Sequence, residues 1–135
     1  MATRKEIIEF MTSDFPQSKS KIEEVGHRSA TVRRKIDLDD LRPGGTISGP
    51  VLMEVADVAL YVAILGEIGI VPLAVTTNLS INFLRRPLPD QDILGVCKLL
   101  KVGRSLVVGE VTIYSAGNQD AVAHAVGTYS ITASG

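Results

Sequence analysis

Between Pro50 and Leu65 the sequence PVLMEVADVALYVAIL is apolar at almost every position. Proline is favoured at a first helical position and glycine just past a last one, so Pro50 and Gly66 bracket a central helix. Its only strongly polar groups are Glu54, Asp57 and Tyr61, and at ~100° per residue their offsets of three and seven place them on one narrow stripe. The rest of the circumference must be buried. Downstream the period changes to two: Val75, Thr77, Leu79, Ile81 and Phe83 alternate with Thr76, Asn78, Ser80 and Asn82, which predicts a strand with one apolar face. Four segments have strand character, Ala74–Arg86, Asp92–Val102, Ser105–Ser115 and Ala121–Thr132, with turns at Pro87-Leu88-Pro89, Gly103-Arg104 and Gly117-Asn118.

Upstream of the helix, Thr3 and Glu6 have the spacing of a capping box. Ile7, Ile8, Phe10 and Met11 then give an apolar helical face over about residues 3–14, stopped by Pro16. Lys21–Val25 and Ser29–Ile36 read as two strands around a tight turn at Gly26-His27. From Asp37 to Gly49 the acids, Pro43 and three glycines read as an irregular loop feeding the helix, a place where function is often carried. Helix, two strands, long helix and four strands predict an α+β fold in which an antiparallel sheet wraps around one apolar helix. No repeat or linker interrupts the chain, so one domain over residues 1–135 is expected.

With 45% hydrophobic and 21% charged residues the chain is not a disordered one. Its 14 basic and 15 acidic residues leave a net charge of -1, without the basic excess that nucleic acid would demand. The mean hydropathy of +0.23 is high for a small domain and suggests apolar surface hidden between subunits. The apolar run Val58–Val75 contains Gly66, Glu67, Gly69 and Pro72, unsuited to a bilayer, and the N-terminus lacks the basic start and apolar stretch of a signal peptide. One cysteine, Cys97, precludes an internal disulfide and reads as a small core residue; with His27 and His124 it makes no zinc cluster. A cytoplasmic protein with no membrane or nucleic-acid partner and no metal is expected.

Asp57 in an apolar helix has poor helix propensity and a desolvation cost, so it needs a partner: a buried hydrogen bond, or the chemistry of a catalytic carboxylate. Glu54, one turn earlier, reads as solvated or ion-paired unless it faces substrate. Gly49 presents a backbone N–H at the positive end of the helix, an oxyanion-hole geometry, or else is a loop glycine chosen for its backbone angle. Pro50 has no N–H, so any donor there is that of Gly49.

The run Ile47-Ser48-Gly49-Pro50-Val51-Leu52-Met53-Glu54-Val55-Ala56-Asp57 resembles the start of the central helix in PaaI-type hotdog-fold acyl-CoA thioesterases, whose motif is His-Gly-Gly, six residues, then Asp. Ala74–Pro87 is similar to that family's next strand, and Lys101–Leu106 to its Gly-Arg turn. The resemblance covers about Leu41 to the C-terminus and departs from the motif at Ser48, in place of His, and Pro50, in place of Gly. It implies a hotdog fold and hydrolysis of an acyl- or aryl-acyl-CoA. Asp57 is then general base or nucleophile, the Gly49 N–H polarises the thioester carbonyl, and Thr76 offers a hydroxyl for the attacking water. Ser48 is expected to bond the loop or substrate, and Arg42, where some relatives carry an amide side chain, is given no role.

Gly49 and Asp57 are eight residues apart, ~12 Å of helical rise, too far for both to touch one carbonyl in one chain. A two-fold dimer that sets the partner's helix antiparallel solves this, with a tetramer left open. Arg85, Arg86, Lys101 and Arg104 lie at strand ends or turns, where they could meet the phosphates of coenzyme A or serve as solvated edge charges. Leu52, Val58, Tyr61 and Leu65 suggest an acyl slot, with no cofactor beyond the coenzyme A of the substrate. Two alternatives stand beside this reading: an acyl-CoA-binding protein without turnover, and a hydroxyacyl-thioester dehydratase using Glu54, which would depend on His27 or His124.

Overall fold

The computed structural model describes residues 1–71 and 74–131. Helix α1 (Arg4–Asp14) begins at the expected box: the Thr3 hydroxyl accepts the Glu6 N–H at 3.2 Å, and the Glu6 carboxylate accepts the Thr3 N–H at 3.0 Å. Strands β1 (Ser20–Gly26) and β2 (Ser29–Arg34) form the hairpin, but Gly26 pairs with Ser29, so the turn is His27-Arg28 rather than Gly26-His27. Arg28 takes the left-handed conformation at φ 51°. β2 also ends two residues before Ile36, and the loop after it is more ordered than its composition suggests. A 3-10 turn (Leu38–Asp40) leads into a small hairpin, β3 (Leu41–Arg42) and β4 (Thr46–Ile47), whose tip holds Gly44 and Gly45 at φ 96° and 75°.

Helix α2 (Gly49–Ile68) passes through Gly66 and stops only at Gly69, whose N–H bonds the Leu65 carbonyl at 2.9 Å. Gly66 is a contact and not a stop, since a Cβ there would lie 2.6 Å from Val25 Cγ1. The remaining strands are β5 (Val75–Phe83), β6 (Ile93–Val102), β7 (Leu106–Ser115) and β8 (Ala121–Ser130). The last was expected to reach Thr132, which lies outside the described residues. Six strands form one antiparallel sheet in the order β1-β2-β6-β7-β8-β5, leaving β5 at an edge.

The sheet curls around α2, whose Val55, Leu60, Val62 and Ile64 are wholly buried, as is Cys97 from β6. Burial pushes the Cys97 thiol up to about 12, the signature of an inert core cysteine. Glycines set the close approach of helix and sheet: Gly109 and Gly127 pair across β7 and β8, and a Cβ at either would come within 2.6 Å of Leu60. This is the expected α+β hotdog arrangement. Among the described residues no helix is long and apolar enough to cross a membrane.

Candidate active site

Asp57 lies mid-helix and half-buried, facing β5 and β8. The Thr76 hydroxyl donates to its Oδ1 at 2.6 Å, and the Tyr129 hydroxyl donates to the same oxygen at 2.8 Å and reaches the Asp57 carbonyl at 3.3 Å. Oδ2 takes no hydrogen bond from any described residue. Strict alternation would have put Thr76 on the outer face with Asn78, Ser80 and Asn82. The pairing of β5 with β8 instead slips between Thr76 and Asn78, so Thr77 is an extra residue and Thr76, opposite the inward-facing Tyr129, turns toward the helix. The same bulge takes Val75, 55% exposed, off the predicted apolar face, whereas Leu79 and Ile81 pack on the core; Phe83 keeps their parity but lies at the strand end and is 53% exposed.

The carboxylate opens into a cavity of about 500 Å³ whose lining includes Phe10, Phe15, Val58, Tyr61 and Tyr129. Tyr61 stacks on Tyr129 with ring centroids 6.0 Å apart, and Phe10 and Phe15 tilt against it at 6.4 and 6.5 Å. Four of the six aromatic residues in the sequence therefore gather beside Asp57. Burial, followed by the Asp57 charge, holds the Tyr129 phenol well above its ordinary range, so it remains a donor. Tyr61 is raised by burial and, secondarily, by Asp14.

Gly49 lines a different cavity, of about 670 Å³, together with Arg42, Leu52, Phe83, Arg85 and Arg86. It is not in the left-handed region, so it is not a glycine chosen for its backbone angle. A Cβ there would meet the tip of the exposed Phe83 ring at 3.3 Å, a tight contact that the ring relieves by a small shift. The segment before it is anchored by an ion pair that sequence reading missed. Arg34 donates to both oxygens of Asp40 at 2.8 and 2.9 Å, with both side chains nearly fully buried. That pairing, with the Asp37 N–H, holds the Asp40 carboxyl below the usual carboxylate range, and Asp40 in turn raises Arg34. The Asp40 carbonyl accepts the Ser48 N–H at 3.0 Å, tying the pair to the start of α2. The Ser48 side chain makes no capping bond.

The other expected site residues divide. Glu54 points to Arg34 Nε at 3.6 Å and lines neither cavity, so it is ion-paired rather than grouped with Asp57. The slot of Leu52, Val58, Tyr61 and Leu65 is split as well. Val58 and Tyr61 face the Asp57 cavity, Leu52 faces the Gly49 cavity, and Leu65 is fully buried in the core. Arg85 and Arg86 border Gly49, whereas Lys101 and Arg104 lie at the β6–β7 turn, the end of the sheet where Leu106 and Val75 both pair with Ser130. His27 sits 3.6 Å from Glu67 and His124 3.2 Å from Glu110; neither lines either cavity.

The thioesterase superfamily matches residues 44–122, from the β3–β4 tip to the start of β8 and more than half of the chain. No match was found among curated proteins. A candidate thioesterase of Silicibacter sp. TM1040 is 38% identical over 96% of this chain and 92% of its own, with a TM-score of 0.88. Two more distant structures share the fold. Zebrafish thioesterase superfamily member 2 is 19% identical over 98% of this chain and 100% of its own, at a TM-score of 0.84. The PaaI protein from the phenylacetic acid degradation operon of E. coli is 19% identical over 94% of both chains, at 0.78. By the match at its helix start and strands, and by a fold that agrees over nearly its whole length, this chain belongs to the thioesterase superfamily and has the hotdog fold of the PaaI proteins.

Proposed function

We propose that the protein is an acyl-CoA thioesterase in which Asp57 activates water against the thioester carbonyl. The observation that carries this reading is the held carboxylate: two hydroxyls fix Oδ1, Oδ2 takes no hydrogen bond from a described residue, and the side chain lines the cavity. The Thr76 proton is spent on Asp57, so its oxygen lone pairs accept a hydrogen bond from a water lying beside Oδ2. Oδ2 removes a proton as the water oxygen attacks the carbonyl carbon, and the Gly49 N–H receives the developing oxyanion. Collapse breaks the C–S bond, the thiolate takes the proton from Asp57, and the free acid leaves. No resident cofactor is needed, because coenzyme A arrives as part of the substrate. A reducing cytoplasm suits the single buried thiol.

Asp57 and Gly49 line separate cavities, so this chemistry requires a second copy. Strand β5 offers the means: it is an edge strand with Thr76 near one end and Phe83, against Gly49, at the other. Antiparallel pairing of β5 with its own copy sets the Thr76 end of one chain beside the Phe83 end of the next, and brings each Asp57 toward the partner's Gly49. Two equivalent sites result, with Tyr61 walling the acyl group, Ser48 at the donor end, and Arg85, Arg86, Lys101 and Arg104 as available cations. Glu54 is left with Arg34 and outside substrate contact.

Thiol release from a series of acyl- and aryl-acyl-CoAs tests the reading. Asp57→Asn is expected to fold and bind substrate normally yet lose about 10² to 10⁴ in kcat. Glu54→Gln is expected to keep turnover within about threefold, as for an exposed pair. Tight binding with no thiol release from any wild-type substrate would replace the enzyme by an acyl-CoA-binding protein. Loss of turnover in Glu54→Gln with retention in Asp57→Asn would favour dehydratase-like use of the helix.

A further inference from the structure

The cavity beside Asp57 holds a second carboxylate to which the proposed chemistry gives no task. Asp14 lines it, together with Phe10, Phe15 and Gln17, and no described lysine, arginine or histidine does. Phe10 and Asp14 belong to α1, and Phe15 and Gln17 follow it closely. All four lie outside the segment 44–122 that matches the superfamily, so this part of the wall is not set by the shared segment.

Asp14 stands where local forces disfavour an acid. It is the last residue of α1, whose final turn holds no basic residue, so its charge lies at the negative end of the helix. The Ser13 hydroxyl donates to its Oδ1 at 2.6 Å, but no described cation pairs with it. The element that carries it is firmly held. Ile7 and Met11 anchor α1 in the core, and Arg4 donates to the Ile22 and Glu23 carbonyls of β1 at 3.0 and 3.2 Å. The Phe15 N–H bonds the Met11 carbonyl at 3.0 Å, and Phe10 and Phe15 both tilt against Tyr61. A fixed negative charge on an aromatic wall repels a second one. An acyl group ending in a carboxylate would lose hydration against the rings and meet a like charge, with no cation in the lining to offset either cost.

We propose that Asp14 is a specificity-determining residue, by which this cavity takes acyl groups with a neutral or cationic far end and rejects those that end in a carboxylate. The inference rests on the thioesterase reading, which seats the acyl group here. The substrate class is then the thioesters of monocarboxylic acids, aryl ones included, and the half-thioesters of dicarboxylic acids are excluded.

Two matched pairs test it: phenylacetyl-CoA against 4-carboxyphenylacetyl-CoA, and hexanoyl-CoA against adipoyl-CoA, in which a carboxylate replaces the terminal methyl. Thiol release gives kcat/KM for wild type, Asp14→Asn, Asp14→Lys and Glu9→Gln, Glu9 being an exposed acid of α1 that does not line the cavity. Wild type is expected to prefer the neutral member of each pair about tenfold. Asp14→Asn is expected to cut that preference about fivefold at low salt and less at high salt, chiefly through KM, and Asp14→Lys to cut it further. Glu9→Gln is expected to leave it unchanged, and neither Asp14 variant to lower the melting temperature, since each removes an acid from a helix C-terminus. Equal use of both members by wild type, an unaltered preference in both Asp14 variants, or an equal shift in Glu9→Gln overturns the proposal. Competition binding of the matching non-hydrolysable thioether analogues reads the same discrimination without turnover. Discrimination that depends on Asp14 with no thiol release would retain its role and refute the enzyme, whereas thiol release without discrimination would do the reverse.

Discussion

Replacing Asp40 by Asn tests whether the Arg34–Asp40 pair holds the start of α2. The amide is nearly isosteric but supplies one acceptor where Arg34 uses two, at 2.8 and 2.9 Å. Removing one partner of a buried pair costs about 3 to 5 kcal/mol, because the other charge is left uncompensated. Glu54, 3.6 Å from Arg34 Nε, recovers part of this, which places the expected loss near the lower end, about 3 kcal/mol. The pH dependence has a fixed sign. Arg34 lowers the Asp40 pKa in the folded state, so the stabilisation is complete above the ordinary carboxylate range and is lost as pH falls through the lowered value. Urea unfolding at pH 7 is therefore expected to separate wild type from Asp40→Asn by about 3 kcal/mol, and the gap to narrow below about pH 4. The Ser48 N–H bonds the Asp40 backbone carbonyl, which asparagine keeps, so the weakened ion pair reaches the start of α2 only through the backbone, and KM for a thioester is expected to rise modestly in the folded variant. A loss under about 1 kcal/mol at neutral pH, or a gap that does not narrow in acid, would refute the reasoning.

Tyr129→Phe removes one of the two donors on Asp57 while keeping the ring stacked on Tyr61, and kcat is expected to fall about tenfold with little change in melting temperature. An unchanged kcat would show that Thr76 alone holds the carboxylate. Gly127→Ala is expected to destabilise by about 1 to 3 kcal/mol, since a Cβ would lie 2.6 Å from Leu60 and 3.1 Å from Leu79 in a packed interior. A neutral result in denaturant unfolding would mean that Leu60 moves aside freely.

Helix α2 was legible because its apolar run is long and continuous, and Asp57 because a carboxylate in that run has no bland explanation without a partner. The partners were not legible. Tyr129 sits in AVAHAVGTYS as an ordinary strand aromatic, 72 residues from the oxygen it bonds. Thr76 was chosen by resemblance, although strict alternation would have turned it outward; only the register slip at Thr77, which no residue type announces, sends it inward. Arg34 left a usable signal: it shares the inward parity of Ala30 and Val32, and a charge on a buried parity demands an acid. Gly66 misled because a glycine that admits a neighbour and a glycine that ends a helix look alike in one sequence. The division into two cavities was visible in the eight-residue spacing of Gly49 and Asp57, whereas the arginines around one of them required the fold.

The shared site is tested most directly by subunit complementation. Asp57→Asn removes the proposed base. Gly49→Pro removes the backbone donor, and Ser48, at ψ 149°, already has the conformation that precedes a proline. Unfolded together and refolded as a mixture, half of the dimers contain one chain of each kind, and each mixed dimer rebuilds one intact site from the unmodified Gly49 of one chain and the unmodified Asp57 of the other. Turnover of the mixture is then predicted at about a quarter of wild type, with each variant alone near zero. Activity no higher than the average of the two variants, in a preparation shown to contain mixed dimers, would contradict a site built from two chains.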